Sequence, residues 1–149
     1  SSLDLLDAGE HARLDQIGNR AALTDPPEPA PTPASIPDAW AAQAARTPDA
    51  AAVTFEGRSV TYRELDEASN RLAYLLAARA AGPGSVVALL FYRSAEAIAA
   101  ILAVLKTGAA YLPIDPAAPA DRIGFMLADA APVVAVATAD LAARLDGHG

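Results

Sequence analysis

The chain has 149 residues, enough for one modest domain with a real core, and a net charge of −7 from 11 basic and 18 acidic residues. That balance excludes the clustered Lys and Arg of a nucleic-acid footprint. The absence of cysteine excludes a disulfide framework and a thiolate metal site, and with neither a long apolar run nor a signal peptide the default location is cytoplasmic.

Residues 1–20 read as a short helix, with Asp7 and Glu10 spaced as a capping box and Gly18-Asn19 as its stop. Thr24 to Pro37 holds six prolines and reads as an extended, semi-rigid linker; an SH3-type ligand is the sharper alternative. Pro37 suits the first turn of a helix running to Arg46, on which Trp40 is expected to pack inward. Ala51–Phe55 and Arg58–Thr61 read as short strands of a hairpin turning at Glu56-Gly57.

Thr61 and Glu64 form a Thr-x-x-Glu capping box. The following helix carries Leu65, Ala68, Leu72, Leu75 and Leu76 as a stripe and is expected to stop near Gly82-Pro83-Gly84. Val86–Phe91 is a continuous apolar run, the pattern of a strand buried on both faces. Ser94 is the expected cap of a helix with Ala97, Ile98, Ile101, Leu102 and Leu105 inward and Gly108 at its end. Ala110–Ile114 reads as a strand, and Asp121–Asp129 as a helix with Ile123, Met126 and Leu127 inward. Pro132–Ala137 reads as a third buried strand, and Thr138 as the cap of a last helix carrying Leu141 and Leu145. Strand and helix alternate from Ser85 onward, which predicts an α/β fold with a parallel sheet flanked by helices.

Catalytic patterns are missing. There is no Walker-type loop, no Gly-x-Gly-x-x-Gly turn and no Gly-x-Ser-x-Gly elbow. His11 and His148 lie near opposite ends, which argues against a zinc site. Asp66 and Glu67 are expected on a solvated helix face. Lys106, the single lysine, is expected at a helix C-terminus, where a cation suits the dipole. Asp115 follows a strand, a position that suits either a ligand contact or a turn. Tyr62, Tyr92 and Tyr111 suit ligand contact or semi-buried packing. No catalytic, cofactor-binding or metal-ligating residue is assigned.

Two segments carry a family resemblance. Val60-Thr61-Tyr62-Arg63-Glu64-Leu65 resembles the first core motif of adenylation domains of nonribosomal peptide synthetases. Leu105-Lys106-Thr107-Gly108-Ala109-Ala110-Tyr111-Leu112-Pro113-Ile114-Asp115 resembles the second. The flanks agree, at Arg46-Thr47-Pro48-Asp49-Ala50 and at Asp115-Pro116 through Arg122-Ile123. The match covers roughly Ile36 to Ala137, and Leu5 to Glu10 resembles the segment that joins a condensation domain to an adenylation domain.

The resemblance implies the N-terminal part of the large subdomain of an adenylate-forming enzyme: residues 1–36 as interdomain linker and residues 37–149 as a truncated adenylation domain. The family condenses ATP and an amino acid to an aminoacyl-adenylate with magnesium, then loads a carrier-domain phosphopantetheine thiol. Its phosphate loop, amino-acid pocket and catalytic lysine all lie downstream of the two motifs, so this chain is expected to be an inactive fragment that itself holds no cofactor. An acyl-CoA or aryl-acid ligase fragment and a non-catalytic docking module are the alternatives. Thr61, Tyr62, Glu64, Leu65, Gly108, Tyr111, Pro113 and Asp115 are read as structural motif residues. The implied partners are the rest of the adenylation domain and the neighbouring condensation and carrier domains. The resemblance also implies an MbtH-like protein, for which Ala131-Pro132 fits the docking position; no nucleic-acid or membrane partner is expected.

Overall fold

The backbone was obtained as a computed structural model that describes residues 35–145. The expected N-terminal helix, most of the proline-rich segment and both histidines lie outside the described residues.

Helix α1 (Ile36–Arg46) begins one residue before Pro37 because Ser35 caps it. The Ser35 hydroxyl accepts the Asp38 N–H at 3.3 Å, and Asp38 accepts the Ser35 N–H at 3.2 Å. Strands β1 (Ala51–Phe55) and β2 (Arg58–Thr61) pair antiparallel. Glu56 and Gly57 both have positive φ, at 49° and 76°, the backbone of a two-residue hairpin turn. Helix α2 (Tyr62–Ala77) ends well short of Gly82. Ala80 takes a left-handed conformation and the Ala81 N–H reaches back to the Leu76 carbonyl at 3.1 Å, closing the helix without a glycine.

The α/β layer follows: β3 (Val86–Leu90), α3 (Ala95–Thr107), β4 (Ala110–Ile114), α4 (Ala120–Ala130) and β5 (Val134–Ala137). The three strands are parallel in the order β4-β3-β5. The expected α/β architecture is therefore the observed one. β3 is central and alternates its side chains between two cores. Val87 and Leu89 meet Leu76, Ala100, Ala103 and Val104 from α2 and α3. Ala88 and Leu90 meet Ile114, Ile123, Leu127 and Leu141 on the opposite face. A third cluster of Leu65, Ala99 and Leu102 packs Trp40, Val53 and Val60 against it, tying the hairpin and α1 to α2 and α3.

Several helix faces differ from expectation. In α2, Leu75 is exposed and Ser69 is fully buried. In α3, Ile98 is exposed, while Ala99, Ala100, Ala103 and Val104 are buried beside Leu102. α3 is apolar around most of its circumference, so periodicity cannot choose its inner face. Close approach to α2 and β3 chooses the small residues instead. β5 begins at Val134 rather than Pro132 and is only half-buried, as suits a strand at the edge of the described sheet. Thr138 caps no helix. Its carbonyl accepts the Leu141 N–H at 3.0 Å, and a single 3₁₀ turn (Ala142–Arg144) follows.

Candidate docking surface and a polar node

The first motif spans the end of β2 and the start of α2. The Thr61 hydroxyl accepts the Glu64 N–H at 3.2 Å, and the Glu64 carboxylate accepts the Thr61 N–H at 2.9 Å. These bonds from Thr61 hold the exposed Glu64 carboxyl below the usual carboxylate range. Thr61→Ala removes the cap and is expected to cost about 1 kcal/mol, read as a lower urea midpoint. Leu65 is buried one turn on, and the Tyr62 ring lies 5.0 Å from that of Trp40.

In the second motif, Gly108 ends α3 at φ 79°. Tyr111 and Pro113 are exposed on β4, where the missing proline N–H is tolerated because β4 pairs only with β3 among the described residues. Asp115, at the C-terminal end of β4, accepts the Ala117 N–H at 2.9 Å. This is the turn reading of that residue. Tyr92 is exposed and Tyr62 half-buried.

Two expectations change. Asp66 is not on a solvated face, and Lys106 does more than complement a helix dipole. The Lys106 ammonium donates to Asp66 Oδ1 at 2.7 Å, Ser69 Oγ at 2.8 Å and Asn70 Oδ1 at 2.6 Å, which satisfies its three protons. Asp66 Oδ1 also accepts the Trp40 indole N–H at 2.9 Å, and Oδ2 accepts from Asn70 at 2.9 Å. Burial pushes the Asp66 carboxyl up. The bonds from Lys106, Trp40 and Asn70, together with the Lys106 charge, outweigh it and leave the group below its ordinary value. The sequence signal for this node was the single lysine at the end of a mostly apolar helix, with an Asp-Asn pair four residues apart on the helix before it.

Ala131 caps α4 in the left-handed region, with φ 42° and ψ 57°, and its N–H bonds the Leu127 carbonyl at 3.0 Å. It is exposed, Pro132 is half-buried, and the Val133 N–H then bonds the Val86 carbonyl at 2.9 Å. The pair opens a shallow hollow lined also by Leu127, Val134 and Leu145.

Ser94 is committed to the Ala97 N–H at 3.2 Å, Asp115 to the Ala117 N–H, and Lys106 to α2. Among the described residues no helix is long and apolar enough to cross a membrane.

Residues 40–148 match the family described as AMP-binding enzyme. The chain belongs to that family. Isonitrile lipopeptide synthase of Mycobacterium tuberculosis (strain ATCC 25618 / H37Rv) is 64% identical over 148 residues, covering 99% of this chain and 6% of that protein. A dimodular nonribosomal peptide synthase of Bacillus subtilis (strain 168) is 49% identical over 111 residues, covering 74% of the chain and 5% of that protein. The chain thus spans a small share of the curated relatives it matches.

Among solved structures, the nonribosomal peptide synthetase FmoA3 in its alpha-methyl-L-serine-AMP-bound form gives a TM-score of 0.81 at 32% identity, over 97% of this chain and 16% of that one. The N-terminal subdomain of Klebsiella oxytoca NpsA, in complex with 3-hydroxybenzoyl-AMSN, gives 0.63 at 33% identity, over 69% of this chain and 26% of that one.

Proposed function

We propose that this chain is the opening part of an amino-acid-activating adenylation domain of a nonribosomal peptide synthetase. Residues 1–36 act as the linker and 37–149 as the start of the domain. The complete domain joins ATP and an amino acid with magnesium, releases pyrophosphate and loads a carrier-domain phosphopantetheine thiol in the cytoplasm. The observation that carries this reading is the family match over residues 40–148 together with peptide-synthetase relatives at high identity. The chain's own part is scaffolding, since its motif residues cap helices and place strands. Amino-acid-dependent ATP–pyrophosphate exchange tests it. The chain alone is expected to give none, and a longer polypeptide that continues it through the remainder of the domain is expected to exchange. Exchange above background by the chain alone would overturn the scaffolding role.

An MbtH-like protein is proposed to dock at Ala131-Pro132. The support is a small, conformationally restricted pair, Ala131 exposed and Pro132 half-buried, at a hollow beside β5. Such a pair loses little entropy on burial between aromatic rings. Ala131→Glu is expected to abolish co-purification with a co-expressed MbtH-like protein; equal recovery with wild type would sink the docking site.

A further inference from the structure

Helix α1 is attached differently from the other α-helices among the described residues. None of its residues is buried, whereas α2, α3 and α4 each bury at least two. Its ends are satisfied locally. The Ser35–Asp38 box closes the start, and Gln43 Nε2 donates to Thr47 Oγ1 at 2.7 Å at the finish. The helix therefore needs little from its neighbours for its own hydrogen bonds.

Its largest anchoring side chain is Trp40, beside the half-buried Pro37, Gln43 and Ala44. Trp40 packs on the Leu65–Leu102 cluster, lies on the Tyr62 ring, and donates its indole N–H to Asp66 Oδ1. That oxygen is the one Lys106 of α3 also holds, so the carboxylate meeting the indole is oriented by a second helix. The chain just after α1 is pinned separately. The Arg63 N–H bonds the Pro48 carbonyl at 2.9 Å, the Tyr62 N–H bonds the Ala50 carbonyl at 3.1 Å, and the Arg63 guanidinium meets Asp49 at 3.1 Å.

We propose that α1 is a releasable strap, hinged at Thr47-Pro48 and latched by Trp40 on the Asp66 carboxylate that Lys106 orients. Releasing the latch frees α1 as a unit and leaves the hairpin and the α/β layer folded. The consequence is reach. The 11 residues of α1 span about 16 Å as a helix and up to about 36 Å when extended.

Hydrogen exchange of the full chain, resolved to peptides, tests this. In the wild type the α1 amides are expected to exchange faster than those of β3, since an element without buried residues opens below the global free energy. Trp40→Phe keeps a ring on Tyr62 and removes the donor to Asp66 together with part of the ring packed on the Leu65–Leu102 cluster. It is expected to accelerate α1 exchange about tenfold and leave β3 unchanged. Leu65→Ala, which cuts the cluster beneath, is the comparison and is expected to accelerate both elements together. The strap is overturned if Trp40→Phe leaves α1 protection intact, or if it accelerates α1 and β3 in step.

Discussion

Asp66→Ala is expected to lower the unfolding free energy by about 3 kcal/mol at neutral pH, the low end of the cost of breaking an enclosed ion pair. The enclosure is incomplete, with the Lys106 and Asp66 side chains 14% and 28% exposed, which keeps the value from rising further. The substitution leaves Lys106 with two of its three acceptors and the Trp40 indole with none. Lys106→Met is expected to cost less, about 2 kcal/mol, because Asp66 keeps the indole and the Asn70 amide. Urea unfolding at pH 7 measures both, as a lower midpoint with an unchanged slope.

The pH dependence has a definite sign. A carboxylate held below its ordinary value contributes stability above that value and loses it as pH falls through the folded one. The gap between wild type and Asp66→Ala should therefore stay constant from neutral pH to about 4 and shrink below it. A variant as stable as wild type at pH 7 would remove the node from the account of how α1, α2 and α3 are joined.

Gly108→Val is expected to destabilise by about 2–3 kcal/mol. Two costs combine. The backbone sits at φ 79°, where a β-branched residue is strained, and a Cβ there would stand 3.1 Å from Pro83 Cγ. Gly108→Ala separates them. In a Pro83→Ala background the contact is relieved but the backbone strain persists, so most of the Gly108→Ala penalty should remain. If the penalty vanished in that background, the contact rather than the conformation would be what requires glycine.

Much of the fold was legible because it rests on local rules. The Thr61–Glu64 box, the Glu56-Gly57 turn, the Ser94 cap and the Gly108 stop each work within a few residues, and each stands where the sequence puts it. The errors fell where local information runs out. α2 runs on toward Gly82 by pattern, yet Ala80 ends it early by taking a conformation that alanine does not advertise. Ile98 and Leu75 read as inward, and packing turned both out. The Ala131-Pro132 pair was legible as residues, while the exposure and left-handed conformation of Ala131 were not.

By itself, the sequence determined the alternation of strands and helices, their caps and turns, and the two motifs that resemble an adenylation domain, since each depends on short spacings. Only the tertiary structure decided which face of an almost wholly apolar α3 turns inward, that β3 is central, and that Asp66 and Lys106 meet. Those two residues are 40 positions apart along the chain. Their pairing arises when α2 and α3 pack side by side and a lone ammonium finds acceptors in a half-buried seam.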